Sequence, residues 1–298
     1  MSPASGDGGP DQVRDPSFPP GTVAIVGTPI GNLGDLSPRA AGALAAADVI
    51  CCEDTRRTRA LLSAAGIPTP DLVGIEAHRE AAGAALAVAA AAAGGRVAVV
   101  TDAGMPGVSD PGGRVLRAAL DAGIPVTVVP GPSAAVVAVV LSGLGAERWC
   151  FEGFLPRSGR ERSARLAALA SEQRASVIYE APARVARTVA DLAGVCGPDR
   201  GVALARELTK LFEQVWRGTL GGAGEWLAGK EPRGEWVVVL GGAPPRREVD
   251  DDEILSELAA HSSGPGDRRA AVGEVARALG VPRRRVYELA LGLRGGDR

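Results

Sequence analysis

The feature that most constrains this chain is a recurrence of short, nearly all-apolar runs that close on a turn or loop and give way to a helical stretch. Thr22–Gly27 (TVAIVG), Asp48–Cys52 (DVICC), Arg96–Thr101 (RVAVVT) and Pro125–Val129 (PVTVV) read as strands, with Leu72–Ile75 as a further one. Ser37–Ala47, Arg57–Ala65, Ala81–Ala93 and Gly113–Ala122 read as the intervening helices. Ser37 is placed as an N-cap with Pro38 at the first helical position, and Gly66, Gly94-Gly95 and Gly123 are placed as stops. Strands that are apolar on both faces need cover on both faces, so the alternation predicts an α/β fold with a parallel sheet.

Gly131-Pro132 forms a natural hinge into a second unit. There Ser133–Ser142 reads as a helix, and Val177–Glu180, Val202–Arg206, Phe212–Arg217 and Glu235–Leu240 as strands. The last two leave no room for a long helix and are expected to pair in an antiparallel or mixed region. Pro244–Glu253 reads as a linker whose acidic run, Asp250–Glu253, is a solvated loop. Ala270–Leu279 and Arg283–Leu293, turned by Gly280-Val281-Pro282, have helix-turn-helix-like spacing. The expected organisation is a disordered tail at 1–20, an N-terminal α/β domain at 21–131, a second α/β domain at 132–244, and a linker with a small helical tail at 245–298.

Composition narrows the function classes. Apolar residues make up 46% of the 298 but aromatics only 3%, so the cores must be built from Ala, Val and Leu. A net charge of −2 excludes a polycation, and any nucleic-acid contact must come from local basic patches. The four cysteines lack CxxC spacing and the two histidines, His78 and His261, lie far apart, which argues against a zinc site or a disulfide framework. Reduced, buried thiols in a cytoplasmic protein are expected instead. Met1–Pro20 has no apolar core of the secretory kind, and Ala81–Ala93 is shorter than the roughly 20 residues of a membrane span.

Three Gly-rich loops follow strands: GTPIGNLGD (Gly27–Asp35), TDAGMPGVSDPGG (Thr101–Gly113) and PGPSA (Pro130–Ala134). Ligands of open α/β sheets bind at the carboxyl ends of the strands, so the three can line one pocket. Gly27, Gly31 and Gly34 do not make GxGxxG, and no Gly-Lys-Ser or Gly-Lys-Thr follows, which disfavours a dinucleotide fold and a P-loop. In place of phosphate-binding cations the loops carry Thr101, Asp102, Ser109 and Asp110, a lining for a cationic or neutral polar ligand.

The three loops occur in order with CEDTRRTRALL (Cys52–Leu62), FEGFLPR (Phe151–Arg157) and ARELTKLFE (Ala205–Glu213). In this the chain resembles the ribosomal RNA small subunit methyltransferase I family, cytidine 2′-O-methyltransferases of the tetrapyrrole-methylase class, from about Thr22 to Gly241. One departure is Met105, where a small polar residue such as Thr is expected. The resemblance implies two α/β domains, a parallel-sheet N-terminal one and a mixed-sheet second one, with a helical tail. It also implies a homodimer, S-adenosyl-L-methionine as cofactor, and 16S ribosomal RNA or the small ribosomal subunit as partner. Pro29, Gly31, Asp102, Ala103, Gly104, Met105, Ser133 and Ala134 would then surround the cofactor, with Leu208, Gly234 and Glu235 contributed by the second domain.

A ribose hydroxyl is a poor nucleophile, so a base is sought among Glu53, Asp54, Glu180, Glu207 and Lys210. Glu53, Asp54, Arg56 and Lys210 are taken as the catalytic set, although Glu53-Asp54-Thr55-Arg56 also fits a strand end with an N-cap and first turn. Arg57, Arg59, Arg157, Arg160, Arg206, Arg284 and Arg285 are the candidate RNA contacts, with Arg162 and Arg165 in the same cluster; each cluster also fits a solvated helix face. Tyr179 reads first as a core residue, with a base-stacking platform as the alternative. Competing readings are a methylase of the same class acting on a tetrapyrrole or protein, and a non-catalytic RNA-binding assembly factor.

Overall fold

The computed structural model describes residues 18–76, 79–229, 233–245, 249–261 and 268–292. They divide into two compact units, 1–243 and 244–298. The first unit contains two lobes, each built on a five-stranded sheet.

In the first lobe, β1 (Val23–Val26), β2 (Val49–Cys52), β3 (Asp71–Gly74), β4 (Val97–Val100) and β5 (Val126–Val129) alternate with α1 (Pro38–Ala46), α2 (Thr55–Ala64), α3 (Glu80–Ala92) and α4 (Gly113–Asp121). The sheet order is β3-β2-β4-β1-β5, parallel throughout. Successive side chains on a strand point to opposite faces. Ala24 and Val26 accordingly meet Ala43 and Leu44 of α1 and Leu62 of α2. Val23 and Ile25 meet Ala84, Ala87 and Ala91 of α3 and Val115 and Ala119 of α4. The Ser37 hydroxyl accepts the Ala40 N–H at 3.0 Å and caps α1 ahead of Pro38. Phe18, inside the stretch expected to be a tail, is instead buried in this core; residues 1–17 lie outside the described residues, as does His78.

The second lobe runs through α5 (Ala134–Ser142), β6 (Trp149–Phe154), α6 (Gly159–Ser171), β7 (Ala175–Glu180), α7 (Val185–Cys196), β8 (Gly201–Arg206), β9 (Gln214–Thr219), α8 (Leu220–Leu227) and β10 (Trp236–Leu240). The order is β6-β7-β10-β8-β9, with only the β6–β7 pair parallel. α5 covers one face through Ala135, Ala138 and Val139. α6, α7 and α8 cover the other through Leu166, Leu169, Leu192 and Leu220.

Two expectations fail here for identifiable reasons. The strand expected at Phe212–Arg217 begins at Gln214, because Leu211 and Phe212 sit 90% and 70% exposed at the tip of the β8–β9 hairpin. Nor do β9 and β10 pair: the eight-residue α8 fits between them, and β8 takes both β9 and β10 as neighbours.

The second unit is a three-helix cluster: α9 (Asp251–His261), α10 (Arg268–Ala278) and α11 (Arg283–Gly292), joined through Ile254, Leu258, Val275 and Val286. The acidic run is not a loop. Asp250 accepts the Glu253 N–H at 2.7 Å, and Asp251, Asp252 and Glu253 form the first turn of α9, where negative charge is favoured by the helix dipole.

Candidate active site

Four strands of the first sheet deliver their loops to one edge, and the first sheet's topology requires it. Parallel strands place all their carboxyl ends together, so the loops after β1, β2, β4 and β5 converge. Thr28 and Gly104 exchange backbone hydrogen bonds at 2.9 and 3.2 Å, and the Thr28 hydroxyl donates to the Thr101 carbonyl at 3.2 Å. Gly27 and Gly131 cross so closely that a Cβ on Gly27 would lie 2.6 Å from Gly131 Cα.

The second sheet presents the matching edge. β10 runs antiparallel to β7 and β8, and Trp236 at its start lies opposite both Glu180 and Arg206 at their ends. Gly234 adopts φ +77°, and a side chain there would collide with Glu207. The Glu207 carboxylate accepts the Glu235 N–H and the Lys210 ammonium, each at 2.9 Å. Burial opposes ionisation of Glu207, but those two donors prevail and hold its carboxyl below its ordinary range. Ile30, from the loop after β1, is buried with Leu208 and Val237 of the second lobe, joining the two edges.

Between the edges lies a cavity of about 380 Å³. Ten of the residues expected from the sequence line it: Glu53, Arg57, Asp102, Ala103, Gly104, Met105, Ser133, Ala134, Gly234 and Glu235. Pro29, Gly31 and Leu208 are not among the lining residues. A Cβ on Gly31 would come within 3.0 Å of the Leu208 carbonyl, so that glycine lets the loop seat against the hairpin. Met105 fills space that a small residue would leave open, its sulfur 2.7 Å from where a Gly27 Cβ would be.

The catalytic set separates. Glu53 faces the cavity, its carboxylate accepting the Thr101 hydroxyl at 2.8 Å. Asp54 is the N-cap of α2, accepting the Arg56 N–H at 2.8 Å, and it pairs with the Arg56 guanidinium at 2.9 Å. Hydrogen bonds from Arg56 hold the Asp54 carboxyl down to about 2. Both side chains are spent on each other, outside the lining. Lys210 bridges Glu207 and Glu235, at 2.9 and 3.1 Å.

Asp110, expected among the loop groups that line a pocket, and Glu180, sought as a base, line the cavity too, whereas Phe154 was missed and Tyr179, read first as a core residue, also faces it. Asp110 follows Ser109, a non-glycine residue at φ +64°, so the backbone is held in a costly conformation just where this carboxyl turns inward. Burial, then the Glu53 charge, push Asp110 up to about 6, against the pull of the Thr101 hydroxyl. Burial and Glu53 likewise raise Asp102, against the Asp54 N–H (3.2 Å) and the Arg57 guanidinium (3.3 Å). Among the described residues no three His, Cys, Asp or Glu side chains form a group able to hold a metal.

The arginines also divide. Arg57 reaches the cavity, and Arg59, Arg157 and Arg160 are exposed. Arg206 donates to the Arg233 carbonyl at 2.8 Å and lies over the Trp236 ring, a contact internal to the lobe. Arg162 is buried against Asp191, and Arg165 pairs with Glu152. In the helical unit, Arg284 pairs with Glu288 and Arg285 with Asp251.

Comparison with known proteins bears on this geometry directly. The model of the tetrapyrrole (corrin/porphyrin) methylases matches residues 22–224. The ribosomal RNA small subunit methyltransferase I of Xylella fastidiosa is 43% identical over 90% of this chain and 98% of that protein. The chain belongs to the ribosomal RNA small subunit methyltransferase I family of tetrapyrrole methylases. Its counterpart in Synechocystis sp. is 40% identical over 92% of this chain and 98% of that one. The fold is also that of a Thermus thermophilus uroporphyrin-III C-methyltransferase solved in complex with S-adenyl homocysteine (TM-score 0.54, 20% identity, 74% of this chain and 96% of that one). In this chain the Gly-rich loops meet at a cavity rather than serving as turns alone. No helix among the described residues is long and apolar enough to cross a membrane.

Proposed function

We propose that this chain is a cytoplasmic S-adenosylmethionine-dependent methyltransferase that methylates the ribose 2′-hydroxyl of a cytidine in 16S ribosomal RNA, within the small ribosomal subunit or its precursor. The observation that carries the reading is the glycine-walled, carboxylate-rich cavity between the two strand-end edges, in a chain whose relatives are named for this substrate.

The cavity fits the cofactor. Glu53, Asp102, Asp110 and Glu235 surround it with negative charge suited to a sulfonium cation. Gly104, at φ +83°, leaves open a space bounded by Ile30 and the Pro132 carbonyl at 3.4 and 3.5 Å, which a Cβ would enter. Asp102, Ala103, Gly104, Ser133 and Ala134 would hold the cofactor from the first lobe, Gly234 and Glu235 from the second. When bound, the cofactor supplies an electrophilic methyl group on positively charged sulfur.

The chain's own residues do the rest. The facing edges fix the acceptor in line at near-attack distance, which supplies much of the acceleration of a displacement between two bound groups. Asp110, buried beside Glu53, receives the hydroxyl proton, and Glu53, held by the Thr101 hydroxyl, orients it. The carboxylates keep phosphates out of the cavity, so the RNA backbone follows the exposed Arg59, Arg157 and Arg160 outside it. A second copy of the chain is the partner proposed for the exposed Val136 and Val140 of α5 and the hairpin tip at Leu211 and Phe212. Light scattering of the purified protein tests that dimer.

The experiment that tests the function is mass-spectrometric mapping of ribose methylation in ribosomal RNA from cells with and without the protein, joined to calorimetric titration with S-adenosylmethionine. One cytidine losing its 2′-O-methyl group is the expected result. An unchanged methylation map, or binding of ATP or NAD in place of the methyl donor, overturns the reading.

A further inference from the structure

The chain holds only four phenylalanines, yet two of them, Phe151 and Phe154, lie exposed on one strand beside the cavity, at 37% and 53%. Burial does not account for that placement, and neither does strand geometry. Residues three apart on a regular strand point to opposite faces. In β6 they do not, because a β-bulge falls between Phe151 and Gly153, with Gly153 at φ +60°. The bulge inserts one residue and restores the parity. Phe151 then stands opposite Val177 and Phe154 opposite Tyr179, on the face that carries the cavity.

Both rings meet Tyr179 edge-on, with centroids at 5.0 and 5.7 Å. Tyr179 is itself fixed, since its hydroxyl accepts the Ala135 N–H at 3.2 Å at the start of α5. The result is an aromatic cluster anchored at its base and open at Phe154, which lines the cavity together with Tyr179 and Pro182. A flat, neutral, π-faced ligand suits this surface, and a phosphate does not, given the carboxylates of Glu53, Asp102, Asp110 and Glu235 that line the same cavity. Three residues beyond Phe154, Arg157 is exposed, placed to meet the charged backbone of such a ligand outside the cavity.

We infer that Phe154, backed by Tyr179 and Phe151, is a stacking platform that receives the unpaired nucleobase of the acceptor nucleotide. The bulge at Gly153 exists to turn Phe154 toward it. This rests on the proposed RNA-methylating function and names the part of the site that holds the acceptor. Stacking a base on an aromatic ring is sequence-tolerant, so the platform holds the base and leaves the choice of nucleotide to other contacts.

The test compares Phe154→Leu, which keeps an apolar side chain, with Phe154→Trp, which keeps a ring. Three quantities are measured: cofactor affinity by calorimetry, affinity for a twelve-nucleotide oligocytidylate by fluorescence anisotropy, and the KM for small ribosomal subunits lacking the modification. Phe154→Leu should weaken oligocytidylate binding and raise the subunit KM by on the order of tenfold. Phe154→Trp should restore both, with cofactor affinity within twofold of wild type throughout. Loss of cofactor affinity in Phe154→Leu would place the cofactor's adenine on this ring and overturn the inference. Unchanged oligocytidylate binding would overturn it too. Because the anisotropy requires no turnover, it reads the platform even where the wild-type protein fails to methylate subunits, an outcome that would overturn the proposed reaction separately.

Discussion

Asp110 gives the sharpest test of how the site works. Its carboxyl is raised from an ordinary 3.8 to about 6 by burial and by the neighbouring Glu53 charge. A raised carboxyl ionises less readily in the folded protein than in the unfolded chain, so its ionisation costs stability. The cost is absent below the unfolded value near 3.8, grows through the window up to about 6, and is fully present above it. Taken in full the shift corresponds to about 3 kcal/mol; Asp110 is partly open to the cavity, and solvent screening reduces this to the order of 1 kcal/mol. Asp110→Asn removes the charge without removing volume. The variant should therefore be more stable than wild type at pH 7, by a few degrees in Tm, and the gain should shrink toward zero near pH 4. Activity should move the other way. A base at about 6 is roughly nine-tenths ionised at pH 7 and one-tenth at pH 5, so the wild-type single-turnover rate should fall about tenfold between them. Other carboxylates facing the cavity, Glu53 after β2, Asp102 after β4, Glu180 at the end of β7 and Glu235 before β10, remain in the variant, as do Arg57 and Tyr179. The acid limb centred near 6 should nonetheless disappear in Asp110→Asn, with the rate at pH 7 lower by on the order of a hundredfold. A variant that keeps both the wild-type rate and the acid limb would refute Asp110 as proton acceptor. A variant less stable than wild type at pH 7 would refute the electrostatic account of its burial.

Further outcomes follow from the same contacts. Gly104→Val places a branched side chain at φ +83° against Ile30 and the Pro132 carbonyl, and calorimetry should show at least about a tenfold loss of cofactor affinity in a folded protein. Glu53→Gln should slow single-turnover methylation by at least about tenfold. Asp54→Asn and Arg56→Ala should stay within about threefold of wild type, because those side chains satisfy each other outside the cavity; equal losses in all three would return Asp54 and Arg56 to the chemistry. Arg162→Met leaves Asp191 only its longer ion pair with Arg187, at 3.8 Å, and removes the donor that reaches Thr188 at 3.0 Å, whose hydroxyl in turn donates to Glu180 at 2.6 Å. Denaturant unfolding should show a loss of about 3 kcal/mol, and a loss under 1 kcal/mol would mean the network is ornamental.

What was legible in the sequence, and what was not, follows from where side-chain chemistry agrees with burial. The first lobe was readable because β1 and β4 are wholly buried and apolar, and because close backbone approach at Gly27 and Gly131 tolerates no larger residue. Even there a string of residues does not distinguish a carboxylate that caps a helix from one that faces a cavity. Glu53 and Asp54 are adjacent and chemically alike, and only the turn into α2 sends them apart. β6 was not readable as a strand because its pattern is broken twice, by exposed phenylalanines and by the bulge that realigns them. The hairpin misled in the opposite sense: Phe212 looks like the start of a buried strand, yet it and Leu211 are the most exposed large apolar residues of the lobe. Tyr179 is half core and half wall, so neither label alone describes it. These discrepancies are physically related. Hydrophobic patterning reports the faces that fold the chain, whereas a binding surface keeps apolar, strained or charged groups where folding alone would not. Ser109 at φ +64°, Asp110 half-buried with its carboxyl raised to about 6 and Phe154 left half in solvent all depart from what folding alone would select. Asp110 and Phe154 line one cavity and Ser109 directly precedes Asp110, which is the physical ground for testing them together as acceptor machinery.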